Sequence, residues 1–454
     1  MRTSTRFALS FFGSLVACLA LAAAVSRGAE PSVHGAGPAA RPRPNIVLIV
    51  SDDHAWGDYS FMGHPQIRTP HLDTLSGQSL TFRHGYVPSS LCCPSLASII
   101  TGLYPHQHRI TSNDPPIPPG MAGKDFHRSA AFLDGRETMN RHLEAVPTLP
   151  RLLAADGYRS LQTGKWWQGD YRRGGFTHGM TRGERHGDQG LEIGRKSMAP
   201  IYDFIDKAQQ DKTPFFVWYA PLLPHQPHTP PARLLKKYAA VAPSEHVARY
   251  WAMIEWFDET VGQLMSHLDE QGLRENTIVV YLADNGWIQT EDAAHYAPKS
   301  KQSQYDGGLR TPIMIRWPGH VTPRATDDLA LSIDLAPTLL TALGEKPPEQ
   351  MQGVNLLDPA TVAARKRIFG ECFTHNAVDL NKPAANLRWR WGIEWPWKLI
   401  VPSAANEPDA KPELYDLSQD PEEKKNLADE QPEVVKKLTV AIDAWWEPEE
   451  VSKP

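Results

Sequence analysis

Cysteine is scarce in this chain, with four in 454 residues. That is too few for a disulfide framework, and no Cys-x-x-Cys pair with a matching histidine cluster marks a zinc site, so each cysteine needs its own explanation. Basic excess is also missing. Lys and Arg number 47 against 52 Asp and Glu, a formal net charge of −5, which argues against a nucleic-acid binder. No internal repeat is visible. A hydrophobic fraction of 41 % beside a charged fraction of 22 % excludes a disordered, collagen-like or polytopic membrane protein. What is plentiful is proline (40) and tryptophan (14), which suggests long ordered loops and a sugar-facing surface. The length suits one large domain with a smaller one.

The amino terminus reads as an export signal. Arg2 and Arg6 precede an apolar run from Phe7 to Val25, and Ala24-Val25-Ser26 is a small-residue exit, so residues 1–26 are taken as a cleaved signal peptide. Leu15-Val16-Ala17-Cys18 offers a lipoprotein alternative acylated at Cys18, and an uncleaved anchor is the third reading. Cleavage makes the protein periplasmic or extracellular, with no stable membrane span. Residues 27–43 read as a flexible linker.

Ile46 to Val50 is a continuous apolar run rich in β-branched residues, as a buried parallel strand would be. Pro214–Tyr219 and Thr277–Ala283 read likewise, while Leu149–Asp156 and Ala248–Leu268 have helical spacing. Strands alternating with helices predict an α/β fold, a mostly parallel central sheet between helices, over 44–362. From about Ala363 the texture changes to short strand-like pieces and a closing acidic amphipathic segment, Pro432–Trp446, which predicts a small α+β domain over 363–454.

In parallel sheets, sites form beyond the carboxyl ends of the strands. Asp52-Asp53 and Asp284-Asn285 sit at two such ends. Three carboxylates and an amide converging there would repel unless a cation neutralised them, and hard oxygen donors suit Ca²⁺ or Mg²⁺ rather than zinc. Each dipeptide alone also fits an ordinary polar turn.

Leu91 to Gly102 reads Leu-Cys-Cys-Pro-Ser-Leu-Ala-Ser-Ile-Ile-Thr-Gly. Pro94 suits the first turn of a helix, Ser95 its capping region and Gly102 its end, so Cys92 lies just before a helix amino terminus, where anions bind. Here the chain strongly resembles the type I sulfatases of the alkaline-phosphatase superfamily, whose signature is Cys-x-Pro-Ser-Arg followed by Thr-Gly. Cys92, Pro94, Ser95, Thr101 and Gly102 match in register. Ordered matches run from Pro44-Asn45-Ile46-Val47 through Gly164-Lys165-Trp166, Pro224-His225-Gln226-Pro227-His228, Asp284-Asn285-Gly286 and Lys301–Arg310 to Asp420-Pro421.

The resemblance implies that a modifying enzyme oxidises Cys92 to Cα-formylglycine. One hydroxyl of its hydrate attacks the sulfur of a sulfate ester, and loss of the other hydroxyl's proton then expels sulfate. It also implies that Asp52, Asp53, Asp284, Asn285 and the modified Cys92 hold the metal, usually calcium. Lys165 and Lys301 would bind sulfate oxygens, Arg310 would assist substrate binding, and His225 would bind sulfate and help protonate the leaving oxygen.

Two positions depart from the family. Leu96 stands where the signature has Arg, and Trp167 stands where Gly-Lys-Trp is usually followed by His. Leu has no donors and Trp cannot act as a base. His54, His106, His108 and Arg310 are candidate substitutes, and Cys93 is a second candidate for modification. Besides a sulfatase acting on sulfated carbohydrates, two readings stay open: a non-catalytic sulfated-glycan binder, and a phosphate or phosphonate monoester hydrolase. Trp389, Trp391, Trp395 and Trp397 with Arg388 and Arg390 fit either a sugar-stacking surface or a packed hairpin.

Overall fold

The computed structural model describes residues 43–121, 123 and 125–449, so the expected signal peptide, Cys18 and nearly all of the linker lie outside the described residues. The apolar run beginning at Ile46 is β1 (Asn45–Ser51), buried along its whole length. With β2 (Leu80–Tyr86), β3 (Arg159–Gly164), β4 (His178–Gly179), β5 (Phe215–Ala220), β6 (Thr277–Ala283), β7 (Ile313–Arg316) and β8 (Arg324–Leu331) it forms an eight-stranded sheet, in the order β4-β3-β5-β1-β6-β7-β2-β8. Neighbours are parallel except at β7, which runs against both β6 and β2.

Both faces are covered, which is why β1 has no polar alternation. Ile46, Leu48 and Val50 enter one core with the helices Cys92–Thr101 and Leu149–Ala155, while Val47 and Ile49 enter the other. There they meet Met253, Phe257, Val261, Leu264 and Leu268 of the helix Glu245–Glu270, spaced along one stripe. Because β1, β5 and β6 are parallel, their carboxyl ends share one edge. Backbone bonds sew that edge together: the Asp52 N–H donates to the Leu223 carbonyl (2.9 Å), Asp284 N–H to Ser51 (2.8 Å) and His54 N–H to Asn285 (3.0 Å).

A second, antiparallel sheet comprises β9 (Ile368–Phe373), β10 (Leu387–Glu394), β11 (Trp397–Pro402) and β12 (Glu413–Asp416), in the order β12-β11-β10-β9. It shares the first core through Ile368, Trp391, Ile393 and Ile400, and Leu399 and Leu414 pack on Leu438 and Ile442 of the helix Pro432–Trp445. The described residues accordingly fall in one compact unit. Buried Lys398 on β11 reaches Asp306 and Glu423, each at 2.8 Å, and fastens this sheet to the segment that follows Lys301.

The tryptophans form a packed hairpin. Trp391 is fully buried, Trp389 nearly so, Arg388 pairs with Glu407, and Arg390 pairs with Asp443. Trp395 is exposed and stacks on His84 with ring centroids 4.0 Å apart. No helix among the described residues is long and apolar enough to cross a membrane.

Candidate active site

Neighbours on a strand point to opposite faces, yet Asp52 and Asp53 both enter one pocket. The device is Asp53 itself, which takes a left-handed backbone (φ 61°) just past β1. Its N–H donates to Asp284 Oδ1 (3.1 Å) and its Oδ1 accepts from Asn285 Nδ2 (2.7 Å). β3 ends at Gly164, whose φ is 76° and where an added Cβ would lie 1.9 Å from the Ala220 carbonyl oxygen, so only glycine fits. That turn sends Lys165 Nζ to Asp52 Oδ1 at 2.5 Å and to within 3.8 Å of Asp284 Oδ2. Lys301 Nζ reaches both oxygens of Asp53, at 2.6 and 2.7 Å.

Cys92 is the first residue of its helix, with Sγ 3.9 Å from Asp53 Oδ1. The helix ends as the sequence suggests, on Gly102 at φ 68°. Ser95 corrects one expectation: it lies inside the helix and caps nothing, and its hydroxyl donates instead to the Asp284 carbonyl (2.5 Å), tying the cysteine helix to the end of β6. His225 Nε2 lies 3.4 Å from Asp53 Oδ2. Its Nδ1 faces the Gln226 carbonyl at 2.5 Å; since a carbonyl only accepts, Nδ1 carries the proton and Nε2 is the free nitrogen.

Ligand atoms of Asp52, Asp53, Cys92 and His225 lie within 4.8 Å of one another. Three neighbouring oxygens, Asp52 Oδ2, Asp284 Oδ2 and Asn285 Oδ1, are buried without a hydrogen-bond partner. One orphaned oxygen costs about 1–3 kcal/mol, so three in one pocket, beside three carboxylates and only two ammonium groups, fit a hard divalent cation.

The electrostatics carry the same mark. Burial, against the pull of Lys165, holds the Asp52 carboxyl well above its ordinary range, and burial likewise raises Asp284. Burial works against Asp53 too, but Lys301 and then His225 outweigh it and hold its carboxyl well below. Lys165 and Lys301 are pushed up by Asp52 and Asp53 respectively, in spite of burial, and are fully charged. Burial pushes the Cys92 thiol up to about 12, which leaves almost no thiolate at neutral pH.

The proposed substitutes are engaged elsewhere. His54 donates from Nε2 to the Asp58 carbonyl (3.1 Å) and stacks on Tyr59; His108 bonds Ser98; His106 pairs with Glu371. Arg310 lies over Trp56 (4.0 Å to the ring centroid) and donates from Nε to the Arg83 carbonyl.

With this geometry, comparison with known proteins is informative. The Sulfatase profile matches residues 44–345, and the profile of the N-sulphoglucosamine sulphohydrolase carboxyl-terminal region matches 297–445. The chain belongs to the sulfatase family. It is 29 % identical to bovine (Bos taurus) arylsulfatase A over 90 % of this chain and 88 % of that one. It is 27 % identical to N-acetylgalactosamine-6-sulfatase of Rattus norvegicus over 78 % and 72 %. The fold is shared more widely. A phosphonate monoester hydrolase of Agrobacterium radiobacter superposes with a TM-score of 0.67 at 19 % identity, covering 89 % of this chain and 96 % of that one. The protein is thus a sulfuric ester hydrolase with a mostly parallel α/β core.

In this sulfatase both departures, Leu96 and Trp167, fall in the first core. Trp167 lies between two guanidinium groups, Arg136 (5.1 Å to its ring centroid) and Arg185 (4.8 Å). Arg136, from the helix Ala130–Glu144, donates to the Asn113 carbonyl (2.7 Å) and the Trp167 carbonyl (3.1 Å), and its charge acts on Cys93. Arg185 forms a fork with Asp114, at 3.0 and 2.8 Å. His186 stands edge-on to Trp167 (4.3 Å) and 5.9 Å from the His225 ring. The sequence reading missed Arg136, Arg185, Asp114 and His186.

Proposed function

We propose that this sulfatase hydrolyses sulfate esters of carbohydrates, using a Cα-formylglycine made from Cys92 and a calcium ion, with Mg²⁺ the less suited alternative. The observation that carries the reading is the placement of Cys92 Sγ at a ring of acids in which three oxygens have no partner. Asp52, Asp53, Asp284 and Asn285 would hold the cation together with the modified Cys92. When present, the aldehyde hydrate supplies the nucleophilic hydroxyl, and the cation lowers that hydroxyl's pKa.

The chain's own residues do the rest. Lys165, held on Asp52, and Lys301, held on Asp53, bind the sulfate oxygens, where fixed positive charge meets the charge that develops on them. His225 presents Nε2 to the pocket, the unprotonated nitrogen that would take up a proton and pass it to the leaving oxygen. Arg310, packed on Trp56, would serve substrate binding from outside this ring through a movement of its side chain.

The carbohydrate substrate class draws on the likeness to N-acetylgalactosamine-6-sulfatase and on export of the mature chain after removal of 1–26. The division into a catalytic domain, 44–362, and a smaller one, 363–454, belongs to the same proposal. Its maturation needs a formylglycine-generating enzyme.

The test is mass spectrometry of the Cys92 peptide, from protein made with that enzyme, followed by assays on aryl sulfate and aryl phosphate esters. An aldehyde at Cys92 and preference for the sulfate ester are expected. A thiol at Cys92 would leave a glycan-binding protein, and preference for phosphate would point to the monoester hydrolase.

A further inference from the structure

One role in this pocket has lost its usual residue, since Trp167 follows Gly-Lys-Trp where the family carries an imidazole. An imidazole is nonetheless present, brought from another segment. His186 lies on the loop Glu184–Gly190, locked against the very stretch that carries Lys165. The Trp166 N–H donates to the His186 carbonyl (2.9 Å), and an added Cβ at Gly187 or Gly190 would come within 2.6 or 2.5 Å of the Gly164 carbonyl oxygen. His186 and Asp188 take left-handed backbones, at φ 72° and 39°. Such strain costs of order 1–3 kcal/mol per residue and persists only where the surroundings over-determine it. Here Asp188 Oδ2 accepts from the N–H groups of Arg182 (2.8 Å), Gly183 (3.0 Å) and Glu184 (3.2 Å).

The hydrogen bonds fix the state of the ring. Arg185 Nη1 lies 2.9 Å from His186 Nε2. A guanidinium only donates, so Nε2 is an acceptor and the ring proton sits on Nδ1. Asp114 holds the other two nitrogens of Arg185, at 3.0 and 2.8 Å, and so aims the third. Burial disfavours imidazolium first, and the charges of Lys165, Arg185 and Lys301, with the neighbouring His225 ring, act in the same direction and keep the ring neutral. Nδ1 has no hydrogen-bond partner among the described residues. With its Nε2 lone pair taken, the ring is unsuited to be a base. It is a neutral donor beside two sulfate-binding lysines.

We propose that His186 donates from Nδ1 to a sulfate oxygen alongside Lys165 and Lys301, with Asp114 and Arg185 as the positioning residues that fix its tautomer. This rests on the sulfatase reading above.

Three variants of the mature enzyme test it on an aryl sulfate. His186→Ala lowers kcat/KM by on the order of 10²-fold, as removal of one transition-state donor does. His186→Asn, whose amide N–H mimics Nδ1, recovers activity to within about tenfold of wild type, while His186→Gln, which mimics Nε2, stays as low as the alanine variant. Alanine as active as wild type, or rescue by Gln in place of Asn, would overturn the proposal. A second measurement needs no turnover. Long-range ¹H–¹⁵N spectra of the wild-type histidines, with His186 assigned from the Asn variant, are expected to give a neutral Nδ1–H ring from about pH 5 to pH 9. An Nε2–H tautomer or a charged ring there overturns it. A wild type that carries the aldehyde but cleaves no sulfate ester sinks the sulfatase reading separately, and the ring spectrum still decides the state of His186.

Discussion

The pocket has two halves, built in different ways. One half stands on strand ends: Asp52 and Asp53 after β1, Lys165 after β3, Asp284 and Asn285 after β6. Its groups are placed by the sheet, a rigid frame that fixes direction as soon as the register is set. The other half comes from a helix and a loop. Arg136, Arg185 and His186 gather around Trp167, which stands where the family has His. The difference teaches that the acids and Lys165 require the frame, whereas Lys301 and the polar partners around them can be supplied from more than one direction.

Substitutions can break that contrast. The largest effect is expected at the lysine that reaches the strand-end acids from a loop. Lys301→Ala removes a charge that grips both oxygens of Asp53 and should lower kcat on aryl sulfate by about 10²–10³-fold. Steady-state kinetics on mature protein checks it, and an unchanged kcat would remove Lys301 from the reaction.

Arg136→Leu comes next. It deletes two charged hydrogen bonds to carbonyls, each worth about 1.5–3 kcal/mol, so urea unfolding should show a loss of at least that order. Restoring the family residues is the sharper probe of the comparison. Leu96→Arg with Trp167→His should destabilise by about 1–3 kcal/mol, because both positions are packed, and should not raise kcat/KM, because Arg136 and His186 already pack on Trp167. A gain in activity would mean that the second half is unfilled. The smallest effect belongs to Trp395→Ala. Loss of its stacking on His84 should cost about 1 kcal/mol or less in thermal stability and leave KM for a sulfated polysaccharide unchanged. A raised KM would revive the sugar-facing reading.

The two halves were also unequally legible. Asp52-Asp53 and Asp284-Asn285 stood out because each closes an apolar run that could only be a buried strand, and strand ends are where sites form. The left-handed turn at Asp53 that brings the pair together leaves no trace in the dipeptide. His186 and Arg136 escaped notice because no strand end marks them. Their only signal was Arg185-His186-Gly187 with Gly190, a histidine among glycines in a polar loop, and it gains meaning only once those glycines are seen pressed on Gly164. The tryptophans stayed ambiguous for a different reason. A hairpin that packs and a platform that binds sugar have the same alternation, and what decides is that Trp389 and Trp391 enter the first core, Trp391 against Tyr86. Ser95 misled because a serine early in a helix usually caps it, whereas tertiary contact with the Asp284 carbonyl takes its hydroxyl here.

The central claim is that Asp52, Asp53, Asp284 and Asn285 form a cation site that the two lysines only partly satisfy. Thermal unfolding of the wild type and of an Asp52→Asn, Asp284→Asn variant, each with calcium and with chelator, tests it most directly, read together with bound-metal analysis. Calcium held at a single site should raise wild-type stability by about 2.7 kcal/mol at a hundredfold excess over its dissociation constant, and should leave the variant unmoved. A wild type that binds no divalent cation, or a variant stabilised equally, would contradict it.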